Sequence, residues 1–124
     1  MKIAVLGAGP AGLTAALELK KRGYAVTVRV TAVIEGSDEF FNATKASHNG
    51  LQGMDIHFTE EMKAVWHEYN ELNAARLDGE YDFIIVHDPQ PAGLLHFHGR
   101  PGGRHWIWRC HIDTSKPNPE FWNF

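Results

Sequence analysis

The chain has 124 residues, 44% of them hydrophobic, with 12 basic and 15 acidic side chains and a formal net charge of −3. That composition suits one domain with a packed core and excludes a disordered chain. The mild negative charge gives no footprint for nucleic acid, no apolar run reaches about 18 residues, and the single cysteine, Cys110, points to a reducing, cytoplasmic setting.

Ile3 to Leu6 is a short apolar run of β formers. It passes directly into Gly7-Ala8-Gly9-Pro10-Ala11-Gly12, a G-x-G-x-x-G segment, and a helical pattern follows from about Pro10 to Arg22. Strand, Gly-rich turn and helix in that order form the context of a dinucleotide-binding fingerprint. Gly7 suits the tight turn, Gly9 the approach of a pyrophosphate and Gly12 close packing of helix on strand. The Gly-Pro interruption and the polar Thr14 and Glu18 argue against a signal peptide. Leu13, Ala16 and Leu17 are expected on the buried face, and Gly23 as the cap.

Ala25 to Ile34 alternates strictly and reads as the second strand, with one wetter face. A dinucleotide fold wants an acid near its end for the ribose hydroxyls. Val30 and Ala32 stand there, and Glu35 is the nearest carboxylate. The cofactor-site candidates are therefore Gly7, Ala8, Gly9, Pro10, Ala11, Gly12 and Glu35, with FAD or NAD(P) as the ligand.

Ser37 is expected to cap a helix to about His48, ended by Asn49-Gly50, and Gly53–Phe58 to be a loop. Thr59 caps the next helix, whose stripe is Met62, Val65, Trp66, Tyr69, Leu72 and Arg76, closed by Asp78-Gly79. Phe83–Val86 is an unbroken apolar run and reads as a central parallel strand. A short helix, Ala92 to about Phe97, leads to a fourth strand, His105–Cys110. Asn118-Pro119-Glu120 is a helix start. The fold expected is α/β: a Rossmann-like parallel sheet of about four strands in order 2-1-3-4 with flanking helices, a truncated half-domain. The sheet's parallel crossovers are right-handed.

Ligands of open parallel sheets bind beyond the carboxyl ends of the strands. Here those ends carry Gly7–Gly12, Glu35, His87-Asp88 and His111–Asp113, which should converge. His96 and His98 lack a cysteine or acidic partner at ligand spacing, so no metal site is expected. Cys110 and His111 are adjacent and point to opposite faces.

Residues 1–28, MKIAVLGAGPAGLTAALELKKRGYAVTV, resemble the opening of FAD- or NAD(P)-dependent oxidoreductases with two dinucleotide-binding domains. From about residue 33 the chain resembles another family. VIEGSDEFFNATKASHNGLQG, DFIIVHDPQPAGLL and WIWRCHIDTSKPNPEFWNF are similar to the N-terminal domain of trehalose-synthesising glycosyltransferases, which are retaining enzymes with two facing Rossmann domains. The two resemblances join in frame, so a chimera is expected: a dinucleotide-binding βαβ unit over residues 1–32 and a glycosyltransferase-like remainder over 33–124. The second resemblance implies that His87, Asp88 and His111 line a sugar cleft and that Asn42, Lys45, His48 and Asn49 approach the acceptor sugar. It also places most nucleotide-sugar contacts in a second domain, and so implies no catalytic residues and no transfer by these residues alone. Three classes stay open: a dinucleotide-binding module, the acceptor-side domain of a glycosyltransferase, and a designed fold without ligand. Trp106 and Trp108 share one face of the fourth strand, and Phe121, Trp122 and Phe124 end the chain, which predicts a homo-oligomer formed through that strand and the C-terminal segment.

Overall fold

In the computed structural model, residues 2–6, 10–29, 36–77 and 80–124 are described. Four parallel strands, β1 (Lys2–Leu6), β2 (Ala25–Arg29), β3 (Phe83–His87) and β4 (His105–Arg109), lie in the order β2-β1-β3-β4. The expected topology is thus met, with β1 and β3 central. Ile3 pairs with Val26 on one side and Phe83 on the other, and Val86 lies between Leu6 and Trp108. Residues 30–34, the continuation expected of the second strand, lie outside the described residues, as do Asp78 and Gly79.

The helices are α1 (Pro10–Lys21), α2 (Asp38–Leu51), α3 (Glu60–Ala75), α4 (Leu94–His98) and α5 (Pro119–Trp122). Alternation along β3 divides the core. Ile84 and Val86 face Ala74 of α3, Leu77 just beyond that helix and Leu94 of α4. Phe83 and Ile85 turn the other way and join Ile3, Val5 and Ala16 of α1. α2 lies against α3, with the rings of Phe40 and Tyr69 4.9 Å apart.

Three helix expectations need correction. The buried residues of α1 are Gly12 and Ala16, with Leu19 packed against the core, whereas Leu13 and Leu17 are 49% and 52% exposed. The small residues, spaced four apart, seat the helix against the sheet and turn the larger leucines outward. On α3 the fully buried side chains are Asn70 and Ala74, while the apolar stripe is half-buried and Arg76 exposed. Asn70 is tolerated because its Nδ2 donates to the carbonyls of Trp66 at 2.9 Å and Gln90 at 3.1 Å.

The third correction is that α2 runs through Asn49-Gly50 to Leu51. Gly50 is there for close approach, since a Cβ on it would lie 2.2 Å from the ring of Phe121. Ala normally stabilises a helix interior by about 1 kcal/mol over Gly. Gly50→Ala should instead destabilise by about 1–3 kcal/mol through overpacking, measured by urea denaturation; a gain in stability would refute the contact.

The three expected caps form. Ser37 accepts from the Phe40 amide, Thr59 from Met62, and Asn118 from Glu120. Asn118 also donates to the carbonyls of Met54 and Ile56. Glu120 accepts from the Phe58 amide at 2.9 Å and pairs with His57 Nδ1 at 2.8 Å. The C-terminal segment is therefore strapped to the loop between α2 and α3. The Phe58 amide, then the His57 side chain, hold the Glu120 carboxyl below its ordinary pKa. Its ionised form is favoured by folding, so its contribution is complete above the unfolded value of about 4.3 and is lost as pH falls through the lower folded value. Hydrogen exchange at the Phe58 amide should accelerate across that acid window relative to neighbouring amides. Glu120→Gln should flatten the response, and an unchanged profile would refute the strap.

Candidate functional site

The carboxyl ends of β3 and β4 bring one polar group together. β3 delivers His87 and then Asp88, and the chain leaves β4 through Cys110 to His111. His111 Nδ1 is hydrogen-bonded to Asp88 Oδ1. The carboxylate accepts, so Nδ1 carries the proton, and Nε2 is the ring nitrogen left to face a ligand. The His48 ring of α2 stands 5.8 Å from that of His111, centroid to centroid.

Asp88 is the one non-glycine residue with positive φ, at 72°, among the described residues. An L-residue there is strained, and Asp is among the few that tolerate it. The main chain is pinned on both sides. The Asp88 amide donates to the Arg109 carbonyl at 3.0 Å, and Trp108 Nε1 donates to the Asp88 carbonyl at 3.0 Å. Strain held in this way by surrounding bonds is characteristic of functional positions. Here it aims the carboxylate at His111.

His87 is 93% buried, since its relative exposure is 7%. Neither ring nitrogen has a hydrogen-bond partner among the described residues. Burial, then the charge of Arg109, lowers its pKa against the opposing pull of Asp88, so the ring is neutral near pH 7. Beside this group an aromatic cavity of about 540 Å³ opens between Ser47, Trp66, Pro89, Trp108, Phe121 and Phe124.

Of the residues singled out in the sequence, His48, Asp88 and His111 converge. Asn49 is half-buried at the end of α2, and its carbonyl accepts from the Gln52 and Met54 amides. Asn42 and Lys45 are exposed earlier on α2 and take no part in the hydrogen-bonded group. Pro10 and Ala11 are exposed at the start of α1, where Gly12 is buried. Gly7, Ala8, Gly9 and Glu35 lie outside the described residues. No group of three or more metal-ligating side chains occurs among the described residues. No helix in them is long and apolar enough to cross a membrane. Trp108 is a site residue that the sequence does not announce. The period of two in Trp106-Ile107-Trp108 shows only that the two indoles share a face of β4.

A family model for the N-terminal domain of trehalose synthase matches residues 6–124. The chain belongs to the trehalose synthase N-terminal domain family. It is 52% identical over 94 residues to trehalose synthase of Thermococcus litoralis and, equally, to that of Pyrococcus furiosus, covering 74% of this chain and 22% of each relative. Trehalose synthase of Rubrobacter xylanophilus is 50% identical over 91 residues, 70% of this chain and 22% of the relative. The chain thus spans about a fifth of the length of the relatives it matches. The family match supports reading the chain as an N-terminal domain of trehalose synthase over the dinucleotide-binding reading, and its span includes Gly7–Gly12.

Proposed function

We propose that the chain forms the acceptor-sugar side of a trehalose-synthesising glycosyltransferase and holds a hexose at the Asp88–His111 pair. The observation that carries this reading is the pair itself, placed at the ligand-binding end of a parallel sheet in a chain of this family. A sugar hydroxyl donates to His111 Nε2, and the Asp88 carboxylate has further lone pairs for a second hydroxyl. The task of such a site is to hold the acceptor hydroxyl in one orientation, which removes entropy from the transfer barrier. Titration of the isotope-labelled chain with glucose, followed by nuclear magnetic resonance, tests it. Saturable shifts are expected at His48, Asp88 and His111. Their absence at all three rejects the reading.

A second reading, a dinucleotide at Gly7–Gly12, is favoured by one observation. β1 stops at Leu6 and α1 begins at Pro10, the spacing that a phosphate-cradling turn needs. FAD, NAD or NADP should then raise the melting temperature, and Gly9→Val should abolish the rise. A flat response to all three nucleotides rejects this reading, and with it the chimera.

A further inference from the structure

The aromatic cavity between α2, α3 and the C-terminal segment holds about 540 Å³. That is far more than close packing leaves, since protein interiors have few voids larger than a water molecule. Its floor is sealed, because Leu51, Phe58 and Phe121 are all buried. Its rim is open, because Trp108, Trp122 and Phe124 are exposed. Rings on the wall meet edge to face, with Phe124 at 5.0 Å from Phe58 and 5.1 Å from Trp66. An entering ring therefore finds both ring faces and ring edges, the two geometries that aromatic pairs prefer. Gly93 lets Trp66 take its place in the wall, since a Cβ on it would lie 2.5 Å from that ring.

Polar groups on the wall are few: the hydroxyl of Ser47 and the imidazoles of His67 and His96. Ser47 Oγ donates to the Ala43 carbonyl at 2.9 Å, so its oxygen is left to accept. A hexose is rimmed with hydroxyls and would leave most of them unpaired against these walls. A flat apolar ring with one oxygen substituent suits them. A dry apolar cavity of about 150 Å³ is enough to take up benzene, and small-molecule sites of about 300–1,000 Å³ are mostly apolar with a few placed polar groups. We propose that the cavity binds an aromatic ring bearing a hydroxyl or ether oxygen, the chemistry shared by a free phenol and by the aglycone of an aryl glycoside. The aglycone is a source because the cavity adjoins the Asp88–His111 pair. Pro89 of its wall follows Asp88 directly, and Trp108 both lines it and donates to the Asp88 carbonyl. That source rests on the sugar reading; the ring site itself does not.

The test is a nuclear magnetic resonance titration of the isotope-labelled chain with phenol, phenyl glucoside and glucose, read at the indole N–H signals. Trp66, Trp108 and Trp122 line the cavity, whereas Trp106 packs against the cluster of Ile84 and Val86 and is the internal control. Phenol should give saturable shifts at the first three indoles and leave Trp106 in place. Ala92 is half-buried on the wall, so Ala92→Leu should fill the space and abolish binding. Trp122 is exposed, and Trp122→Ala keeps the test decisive if the Ala92 variant does not fold. Its affinity should fall about 2- to 10-fold, the contribution of one aromatic pair. Phenyl glucoside binding about tenfold or more tighter than phenol marks an aryl glycoside as the source, and equal binding a free phenol; both support the site. Shifts that do not saturate, that reach Trp106 equally, or that survive Ala92→Leu and Trp122→Ala undiminished overturn it. If glucose shifts Asp88 and His111 and neither aromatic probe binds, the ring site falls alone; if phenol binds and glucose does not, the sugar reading falls alone.

Discussion

Phe58→Ala should lower the stability of the chain by about 3–5 kcal/mol, the range for deleting a buried aromatic ring. Phe58 is 1% exposed and stacks on Phe121 with centroids 4.5 Å apart. Phe124 meets its ring edge-on at 5.0 Å. The residue lies in the loop between α2 and α3, yet it holds the C-terminal segment, whose Phe121 fills the space that Gly50 leaves on α2. Truncation would open a cavity on that seam and weaken the anchorage of three elements together. Phe58→Leu keeps most of the apolar area and should cost less than half as much. Urea denaturation of both variants decides it. A loss below about 1 kcal/mol for Phe58→Ala would show that the segment collapses onto the gap and that Phe58 is not its anchor.

The contrast between Phe58 and Thr59 shows which parts of this fold could be read in advance. Thr59, Ser37 and Asn118 announce helix starts because a cap is a local device, a side-chain oxygen within three residues of the amide it satisfies. The parallel order followed from the alternation of strand and helix and from the apolar run of Phe83–Val86. Phe58, Gly50 and Phe121 could not be read, because their meaning lies in a contact some 60–70 positions apart along the chain. Gly50 in particular carries two opposite signals: as a sequence feature it ends helices, and in the structure it sits within one so that a ring can approach. Asn70 is illegible for a related reason. A polar residue at a helical core position becomes acceptable only once the Gln90 carbonyl arrives from another element.

The site was legible at the strand ends and less so within them. His87, Asp88 and His111 were found because polar residues following apolar strands fall where a parallel sheet binds ligands. Their division of labour was not. Asp88 leaves the strand with positive φ, which turns its carboxylate to His111, while His87 stays in the strand and is buried. No pattern of residue types distinguishes those two neighbours. Trp108 shows the limit again. Its indole looks like surplus apolar surface until its N–H is seen to hold the Asp88 carbonyl.

His111→Ala should weaken glucose binding by about 2- to 10-fold, the equivalent of roughly 0.5–1.5 kcal/mol for a hydrogen bond between uncharged groups. The variant removes both the Nε2 acceptor and the imidazole against which the His48 ring stands. Asp88→Asn should cost about tenfold. The amide can still accept from Nδ1 but no longer offers a charge to fix the tautomer. If the two residues act as one unit, the double variant should lose less than the sum of the two single losses, since part of the role of Asp88 runs through the ring it orients. Asp88→Gly separates function from folding. Glycine accepts the 72° φ without strain, so stability should hold or rise by roughly 1 kcal/mol, while glucose affinity should fall at least as far as in Asp88→Asn. A merely structural Asp88 predicts the reverse pattern, in which binding follows stability. Calorimetric titration of the four variants, with melting temperatures measured alongside, discriminates between them. Strict additivity of the His111 and Asp88 losses, or full glucose affinity in Asp88→Gly, would remove the pair from the sugar site.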